Sequence, residues 1–294
     1  MDDIFGIPAP LLFGQLLLGL INGAFYAMLS LGLAVIFGLL NIVNMAHGAQ
    51  FMMGAFAAWM LLAWFGIGYW WALLLAPIII AITGIILERL LISRLYKLDH
   101  LYGLLLTFGL ALIIEGVFRN EFGSSGLPYR IPDALSGAWD LGFMFMPVYR
   151  GWVVIAALVL CLATWLIIEK TRLGAYLRAA TENAALVQAF GVNVPRMVTL
   201  TYGFGVALAA VGGVLAAPIY SVNPQMGSNL IIVVFATVVI GGMGSILGAI
   251  LTGFTLGVVE GLTKVFWPEA SATVIFVIMA IVLLARPAGL FGRA

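Results

Sequence analysis

The sequence contains two long stretches without any charged side chain. No Asp, Glu, Lys or Arg occurs between Asp3 and Glu88, and none occurs from residue 197 to residue 259. Charged residues make up 9% of the chain and hydrophobic residues 64%, whereas soluble proteins have about 25% charged residues. A soluble domain could not bury so much apolar surface. We therefore predict an all-α, polytopic transmembrane helical bundle that forms a single domain over residues 1–294.

About 20 apolar residues are needed for a helix to cross a bilayer. Eight apolar segments meet or approach this length, at about 11–40, 45–65, 70–87, 101–118, 151–168, 197–219, 229–259 and 271–285. The first segment is longer than a simple crossing requires. We expect it either to tilt in the membrane or to break near residues 38–41.

The segment 229–259 is also too long for one crossing, since a single helix would extend about 46 Å against a hydrocarbon core of about 30 Å. Its centre reads Gly241-Gly242-Met243-Gly244-Ser245. We expect a broken or re-entrant pair of helices that meet at these glycines. Irregular backbone at membrane depth must be buried in protein or line a wet cavity. A translocation pathway and a closely packed kink both fit this pattern.

The distribution of basic residues predicts the orientation. Two basic clusters, at 89–97 and 170–196, are assigned to the cytoplasm by the positive-inside rule. The polar loop 119–150 is then external, and three preceding spans place the N-terminus outside. Arg286 and Arg293 place the C-terminus in the cytoplasm.

No set of residues in the sequence suggests catalysis. The chain has no phosphate-binding loop of the G-x-x-x-x-G-K-[ST] type, and His47 and His100 lack partners at metal-ligand spacing. The net charge of +1 gives no bulk attraction to nucleic acid. We predict a protein that is not an enzyme and binds no cofactor or metal itself.

One polar segment interrupts the first charge-free stretch. It contains Asn41, Asn44, His47 and Gly48. In lipid such groups need partners on other helices or in a wet cavity, although a turn near the membrane surface would also tolerate them. The candidate pathway residues are therefore Asn41, Asn44, His47, Gly48, Gly241, Gly242, Gly244 and Ser245.

Glu115 and Glu260 are the acidic residues closest to membrane depth. Each has a basic residue four positions later, Arg119 and Lys264 respectively, so that each pair can neutralise itself on one helix face. Glu260 also stands beside a Gly253-x-x-x-Gly257 stripe that favours close helix packing. A proton relay would require an unpaired acid nearer the midplane, so the paired arrangement favours a structural role.

The predicted cytoplasmic loop contains a short amphipathic helix. Thr181 is a plausible N-cap, and Gly191 is a plausible residue beyond the C-terminus. Between them Leu186, Val187 and Phe190 share one face. Such a helix needs a surface to bury against, either a cytoplasmic partner or the lipid interface.

Taken together, three segments resemble the permease subunits of branched-chain amino acid ABC importers, nearly from end to end. They are Asn22–Met28 with Asn44-Met45-Ala46-His47-Gly48, the loop from Arg178 to Gly191, and the glycines from Gly241 to Gly253. Met45 stands where Phe is usual in the family. The interval from Glu182 to Gly191 is three residues longer than in the E-A-A-x-x-x-G loop of many other ABC permeases.

The resemblance implies a division of labour in the bacterial inner membrane. A second homologous permease would form a heterodimer with this chain, two ATPase subunits would use ATP and Mg, and a periplasmic binding protein would deliver a branched-chain amino acid. The implied ATPase-coupling residues are Arg178, Thr181, Glu182, Asn183, Ala185, Leu186, Ala189, Phe190 and Gly191. The alternatives are a permease for urea or short amides in the same family, or an ion-coupled secondary transporter.

Overall fold

The computed structural model describes residues 3–4, 7–40, 43–96, 98–142 and 144–292. These residues form ten α-helices: α1 Ala9–Leu40, α2 His47–Phe65, α3 Tyr69–Leu90, α4 His100–Phe122, α5 Val148–Lys170, α6 Arg172–Ala189, α7 Val194–Tyr220, α8 Ser228–Gly241, α9 Ile246–Phe266 and α10 Val274–Ala285. Seven of them, α1 to α5, α7 and α9, are long and apolar enough to cross a membrane. The prediction of an all-α polytopic bundle is confirmed. The apolar helices α8 and α10 are shorter, with 14 and 12 residues.

The remaining elements are small. The strand β1 Asp3–Ile4 pairs antiparallel with β2 Ile7–Pro8, and β3 Ala138–Asp140 pairs antiparallel with β4 Phe145–Pro147. Three 3-10 turns occupy Ile92–Leu95, Asp133–Leu135 and Pro268–Ala270. The long loop also meets the α7–α8 connection through a bridge between Leu127 and Val222, so both connections lie at the same end of the bundle.

Helix α1 is one continuous helix of 32 residues, so the segment 11–40 does not break at Gly38. A helix of this length extends about 48 Å, which is longer than a straight crossing requires. Its core position explains its apolar sequence, since 83% of its spanning window is buried inside the chain. Helix α7 is buried to a similar extent, at 78%, whereas α4 is buried to only 17% and presents most of its surface outward.

Helices α1 and α9 pack backbone to backbone. A Cβ atom on Gly257 would lie 2.3 Å from the Cα atom of Gly23, and a Cβ atom on Gly19 would lie 2.5 Å from the Gly257 carbonyl oxygen. The glycine stripe of α9 therefore serves helix packing, as its spacing predicted. The two helices run antiparallel, because Gly38 near the end of α1 contacts Gly244 just before α9 begins.

The segment 229–259 is two helices, as its length predicted. Helix α8 ends at Gly241 and α9 begins at Ile246. Gly242 and Gly244 have φ values of +99° and +82°, a conformation that glycine adopts without steric cost. The Ser245 side chain caps α9 by accepting a hydrogen bond from the Gly248 N–H at 3.1 Å.

Candidate functional site

Helix α6 consists of two helical pieces divided at Asn183, whose φ of −150° and ψ of 90° are not helical. The Asn183 Oδ1 atom accepts a hydrogen bond from the Leu186 N–H at 2.9 Å, so Asn183 caps the second piece. The expectation that Thr181 is the N-cap is wrong. The first piece continues through Thr181, and the Thr181 hydroxyl donates instead to the Arg178 carbonyl at 2.7 Å.

The second piece ends as predicted at Gly191, which has a φ of +85°. The Gly191 N–H donates to the Gln188 carbonyl at 2.9 Å, and the Val192 N–H donates to the Val187 carbonyl at 3.4 Å. This pair of hydrogen bonds is the Schellman arrangement that satisfies carbonyls at a helix end. The short helix therefore has a defined cap at each end.

The short helix has an inner face and an outer face, and the expectation that Leu186, Val187 and Phe190 share one face is wrong. Val187 is buried with Ala180 and Val194 in a small apolar cluster that holds the helix against the start of α7. On the outer face the Leu186 and Phe190 side chains are 54% and 80% exposed. Four other predicted coupling residues at or beside the division, Glu182, Asn183, Ala185 and Ala189, are also exposed. We call Leu186, Phe190 and these four residues the α6 outer face.

A tight turn fixes α6 to the end of α5. A Cβ atom on Gly174 would lie 1.6 Å from the Ile168 carbonyl oxygen, so only glycine fits there. The Arg178 Nη1 atom donates to the same carbonyl at 3.2 Å and to Glu169 Oε2 at 3.3 Å. These contacts attach the first piece of α6 to the end of α5.

Residues 43–46, directly before α2, are buried or half-buried in protein and do not form an exposed turn. Asn44 is 1% exposed, and its Nδ2 atom donates to the Tyr202 hydroxyl oxygen at 3.1 Å and to Gln50 Oε1 at 3.3 Å. The Gln50 Nε2 atom donates to the same Tyr202 oxygen at 3.0 Å. We call Asn44, Gln50 and Tyr202 the Asn44 cluster. They belong to the segment before α2, to α2 and to α7, respectively.

Sequence reasoning missed two members of the Asn44 cluster. Gln50 lies three residues after His47 in a charge-free stretch, so its polarity was a usable signal. Tyr202 gave no such signal, because an aromatic residue in an apolar helix usually packs in the core. The contact between Asn44 and Tyr202 depends on the packing of α2 against α7.

His47 and Gly48 mark close approaches between helices. The His47 side chain is fully buried, and its Nε2 atom lies 3.1 Å from the Leu29 carbonyl oxygen, to which it donates in the matching tautomer. A Cβ atom on Gly32 would lie 2.9 Å from this imidazole, and one on Gly48 would lie 2.7 Å from the Gly227 carbonyl oxygen. The segment thus packs against the middle of α1.

The glycines between α8 and α9 also pack closely. A Cβ atom on Gly241 would lie 2.6 Å from the Gly248 carbonyl carbon, and one on Gly242 would lie 2.4 Å from the Gly292 nitrogen. Gly244 contacts Gly38 of α1. These contacts account for the glycines as packing residues, and the pathway role of this set stays a prediction.

Asn41, Lys97 and Arg293 lie outside the described residues.

Glu88, near the end of α3, is a buried acid. It is 2% exposed, and it accepts hydrogen bonds from the Tyr96 hydroxyl and, at 2.8 Å, from the Thr199 hydroxyl. Burial and the neighbouring Glu88 carboxylate raise the pKa of Tyr96 above its ordinary value. The contact with Thr199 brings the end of α3 and the start of α7, and with them both basic clusters, to one end of the bundle.

The two membrane-depth acids are paired as predicted. Arg119 binds Glu115, and the Lys264 Nζ atom lies 2.6 Å from Glu260 Oε1. The Tyr26 hydroxyl also donates to Glu260 at 2.6 Å. Within the part of the chain that the structure describes, no three His, Cys, Asp or Glu side chains come together as a metal site would require.

The described residues thus form a polytopic helical bundle that holds a short capped helix against the start of α7, with the Leu186 and Phe190 side chains exposed. The chain belongs to the family described as the branched-chain amino acid transport system permease component, which matches residues 15–284. The resemblance inferred from the sequence motifs is confirmed.

Several relatives are similar over most of their length. The chain is 29% identical to the high-affinity branched-chain amino acid transport system permease protein LivH of Escherichia coli K12 and 30% identical to BraD of Pseudomonas aeruginosa, in each case over 95% of both chains. It is 27% identical to the permease protein LivM of Escherichia coli K12 over 90% of this chain and 67% of LivM. No solved structure matches.

Proposed function

We propose that this chain is a permease subunit of an ATP-driven importer for branched-chain amino acids in the bacterial inner membrane. The observation that carries the proposal is the family match over residues 15–284. The printed names of LivH and BraD assign branched-chain amino acids to those proteins, and this substrate class is extended here to the chain.

The proposed complex contains a second homologous permease, two ATPase subunits and a periplasmic binding protein. The chain is similar to both LivH and LivM, two permease proteins of one organism, which supports a heterodimer of related subunits. In this arrangement the basic end of the bundle is cytoplasmic and the N-terminus is periplasmic. The loop 119–150 is then the largest external surface for the binding protein.

The α6 outer face is the proposed contact for an ATPase subunit. Large apolar side chains such as Phe190, exposed outside the spans, indicate an interaction site. ATP binding would move the ATPase, and the Gly174 turn would pass this motion from α6 to α5. The helices would then alternate between outward-open and inward-open arrangements, which exposes the substrate pathway to one side at a time.

Copurification tests this proposal. The complex is extracted in mild detergent, and ATPase subunits recovered with the chain are quantified by mass spectrometry. Replacing both Leu186 and Phe190 by Ala should reduce ATPase recovery about tenfold or more, since hot-spot side chains each contribute about 2 kcal/mol. The matched control replaces Leu105 and Leu112 by Ala, which are similarly exposed but lie on α4.

The outcomes separate the alternatives. Unchanged ATPase recovery from the Leu186 and Phe190 variant would remove the docking role, and recovery of the chain without any ATPase would favour a secondary transporter. The substrate is tested separately with the cognate binding protein. Binding of urea or a short amide in preference to leucine would reassign the substrate class.

A further inference from the structure

A cavity of about 540 Å³ lies at the basic end of the bundle, between α6 and the ends of three spanning helices. Its walls come from Val35 on α1, Ile167 and Ile168 on α5, Leu173 and Leu177 on α6, and Leu200 and Phe204 on α7, among others. Its volume lies within the range of about 300–1,000 Å³ that small-molecule sites occupy. None of the predicted pathway residues that the structure describes lines it.

The cavity lining is mostly apolar and contains one positively charged side chain. Arg196 is the single charged residue among the described lining residues. It has no ion-pair partner in the described parts of the chain. An apolar cavity with one unpaired cation complements an amphiphile that carries a negative head and an apolar tail.

The position of the cavity matches one leaflet of a membrane. Arg196 lies in the first turn of α7, and the helix rises about 12 Å from there to Phe204. One leaflet of the hydrocarbon core is about 15 Å thick. A headgroup phosphate at Arg196 would therefore allow an acyl chain to extend along the apolar wall toward Phe204.

The cavity is accessible from the lipid side. Ile167, Leu200 and Phe204 stand on spanning helices and are 43%, 55% and 37% exposed, so a lipid tail can enter laterally between them. Leu173 and Tyr176 of α6 also line the cavity. A lipid is thus the occupant that the geometry favours.

We propose that this cavity binds an anionic membrane phospholipid, with its phosphate at Arg196 and one acyl chain between α6 and the spanning helices. The bound lipid fills the space behind the first piece of α6. It thereby stabilises the position of the segment that carries the α6 outer face. The cavity is lined by the first piece of α6, whereas Leu186 and Phe190 of the proposed ATPase contact lie on the second piece.

Photocrosslinking of the full chain in bilayers tests the site. The probe is phosphatidylglycerol with a diazirine in one acyl chain, compared with phosphatidylcholine that carries the same acyl chain. Labelled peptides are mapped by mass spectrometry. We expect phosphatidylglycerol to label the α7 segment around Leu200 and Phe204 more strongly than phosphatidylcholine does.

Three variants sharpen the test. Arg196→Gln should lower phosphatidylglycerol labelling about fivefold, the change expected for one basic residue near an anionic headgroup. Arg94→Gln, an exposed residue at the same end of the bundle that does not line the cavity, should leave the labelling unchanged. Leu200→Trp should reduce labelling by both lipids because the larger ring fills the cavity. Melting temperatures confirm that each variant is folded.

Four results would overturn the proposal. They are equal labelling by the two lipids, equal effects of Arg196→Gln and Arg94→Gln, labelling of Leu105 and Ile113 on α4 as strong as labelling of the cavity, or crosslinks from an ATPase subunit to the cavity in the assembled complex. Because the experiment measures lipid contact in the chain itself, its result does not depend on whether transport uses ATP.

Discussion

At the scale of single residues, two groups of buried polar side chains are held by hydrogen bonds between helices. Asn44 and Gln50 both donate to the Tyr202 oxygen, and Glu88 accepts from Thr199 and Tyr96. A buried polar group that loses its partner costs about 1–3 kcal/mol. The stability of these contacts between helices therefore depends on the Tyr202 hydroxyl oxygen and the Glu88 carboxylate oxygens.

Tyr202→Phe tests this dependence. The substitution keeps the ring but removes the acceptor that Asn44 and Gln50 share, so we expect a loss of about 1–3 kcal/mol and a lower melting temperature in detergent. Tyr102→Phe is the control, because Tyr102 is 57% exposed on α4. Equal melting temperatures for the two variants would show that the Asn44 cluster contributes nothing to stability.

Ser221, directly after α7, has a strained backbone. Its φ of +57° with a ψ of 144° lies in a region that essentially only glycine occupies. Ser221→Gly should raise stability by about 1 kcal/mol, whereas Ser221→Ala keeps the Cβ atom and should bring no gain. Thermal unfolding of both variants measures the difference, and a gain with alanine equal to that with glycine would contradict strain as the cause.

At the scale of elements, the orientation of α6 depends on its connection to α5. The Gly174 turn, the Arg178 hydrogen bonds and the apolar cluster around Val187 each fix one part of the segment. The kink at Asn183 then sets the direction of the second piece. Together these contacts keep the α6 outer face exposed.

Gly174→Ala should disrupt the connection. The added Cβ atom would lie 1.6 Å from the Ile168 carbonyl oxygen, so α6 must move away from α5. We expect normal membrane insertion with a loss of substrate-stimulated ATPase activity of about tenfold or more, because a clash with backbone cannot be relieved by a side-chain rotation. Gly109→Ala, where a Cβ atom meets nothing within 4 Å, is the matched control.

ATPase activity that remains coupled to transport in Gly174→Ala would show that the turn is not needed for transmission. Loss of activity in Gly109→Ala as well would point to a general effect of added side chains on membrane insertion. Cysteine accessibility on the two sides of the membrane distinguishes insertion from coupling.

At the scale of the whole molecule, the proposed energy source is an ATPase outside the chain. Glu115 and Glu260 each bind a basic residue on their own helix, whereas ion-coupled transporters place ion sites near the midplane. Uptake by the reconstituted complex should therefore require ATP and persist when the ion gradients are collapsed. Uptake of leucine without ATP that disappears with the gradient would contradict the proposed energy source.

The charge-free stretches, the glycine spacing and the length of the segment 229–259 allowed the membrane class, most of the spans, the packing role of the α9 glycine stripe and the two-helix break to be predicted. These features follow from local rules, since bilayer thickness and helix rise set segment lengths. The predicted C-terminus of the short helix at Gly191 was also right for a local reason, because glycine tolerates the left-handed conformation.

Tertiary structure decided which side chains meet. The cap at Asn183 replaced the one expected at Thr181, because the first piece of α6 continues from its attachment to α5. The burial of Glu88 by Thr199 and the contact of Asn44 with Tyr202 join residues more than a hundred positions apart. Sequence periodicity shows which face of a helix is apolar, but it does not show how the neighbouring helix is rotated or how deeply it packs. The rotation and depth of the neighbouring helices determine both the Asn44 cluster and the cavity beside Arg196.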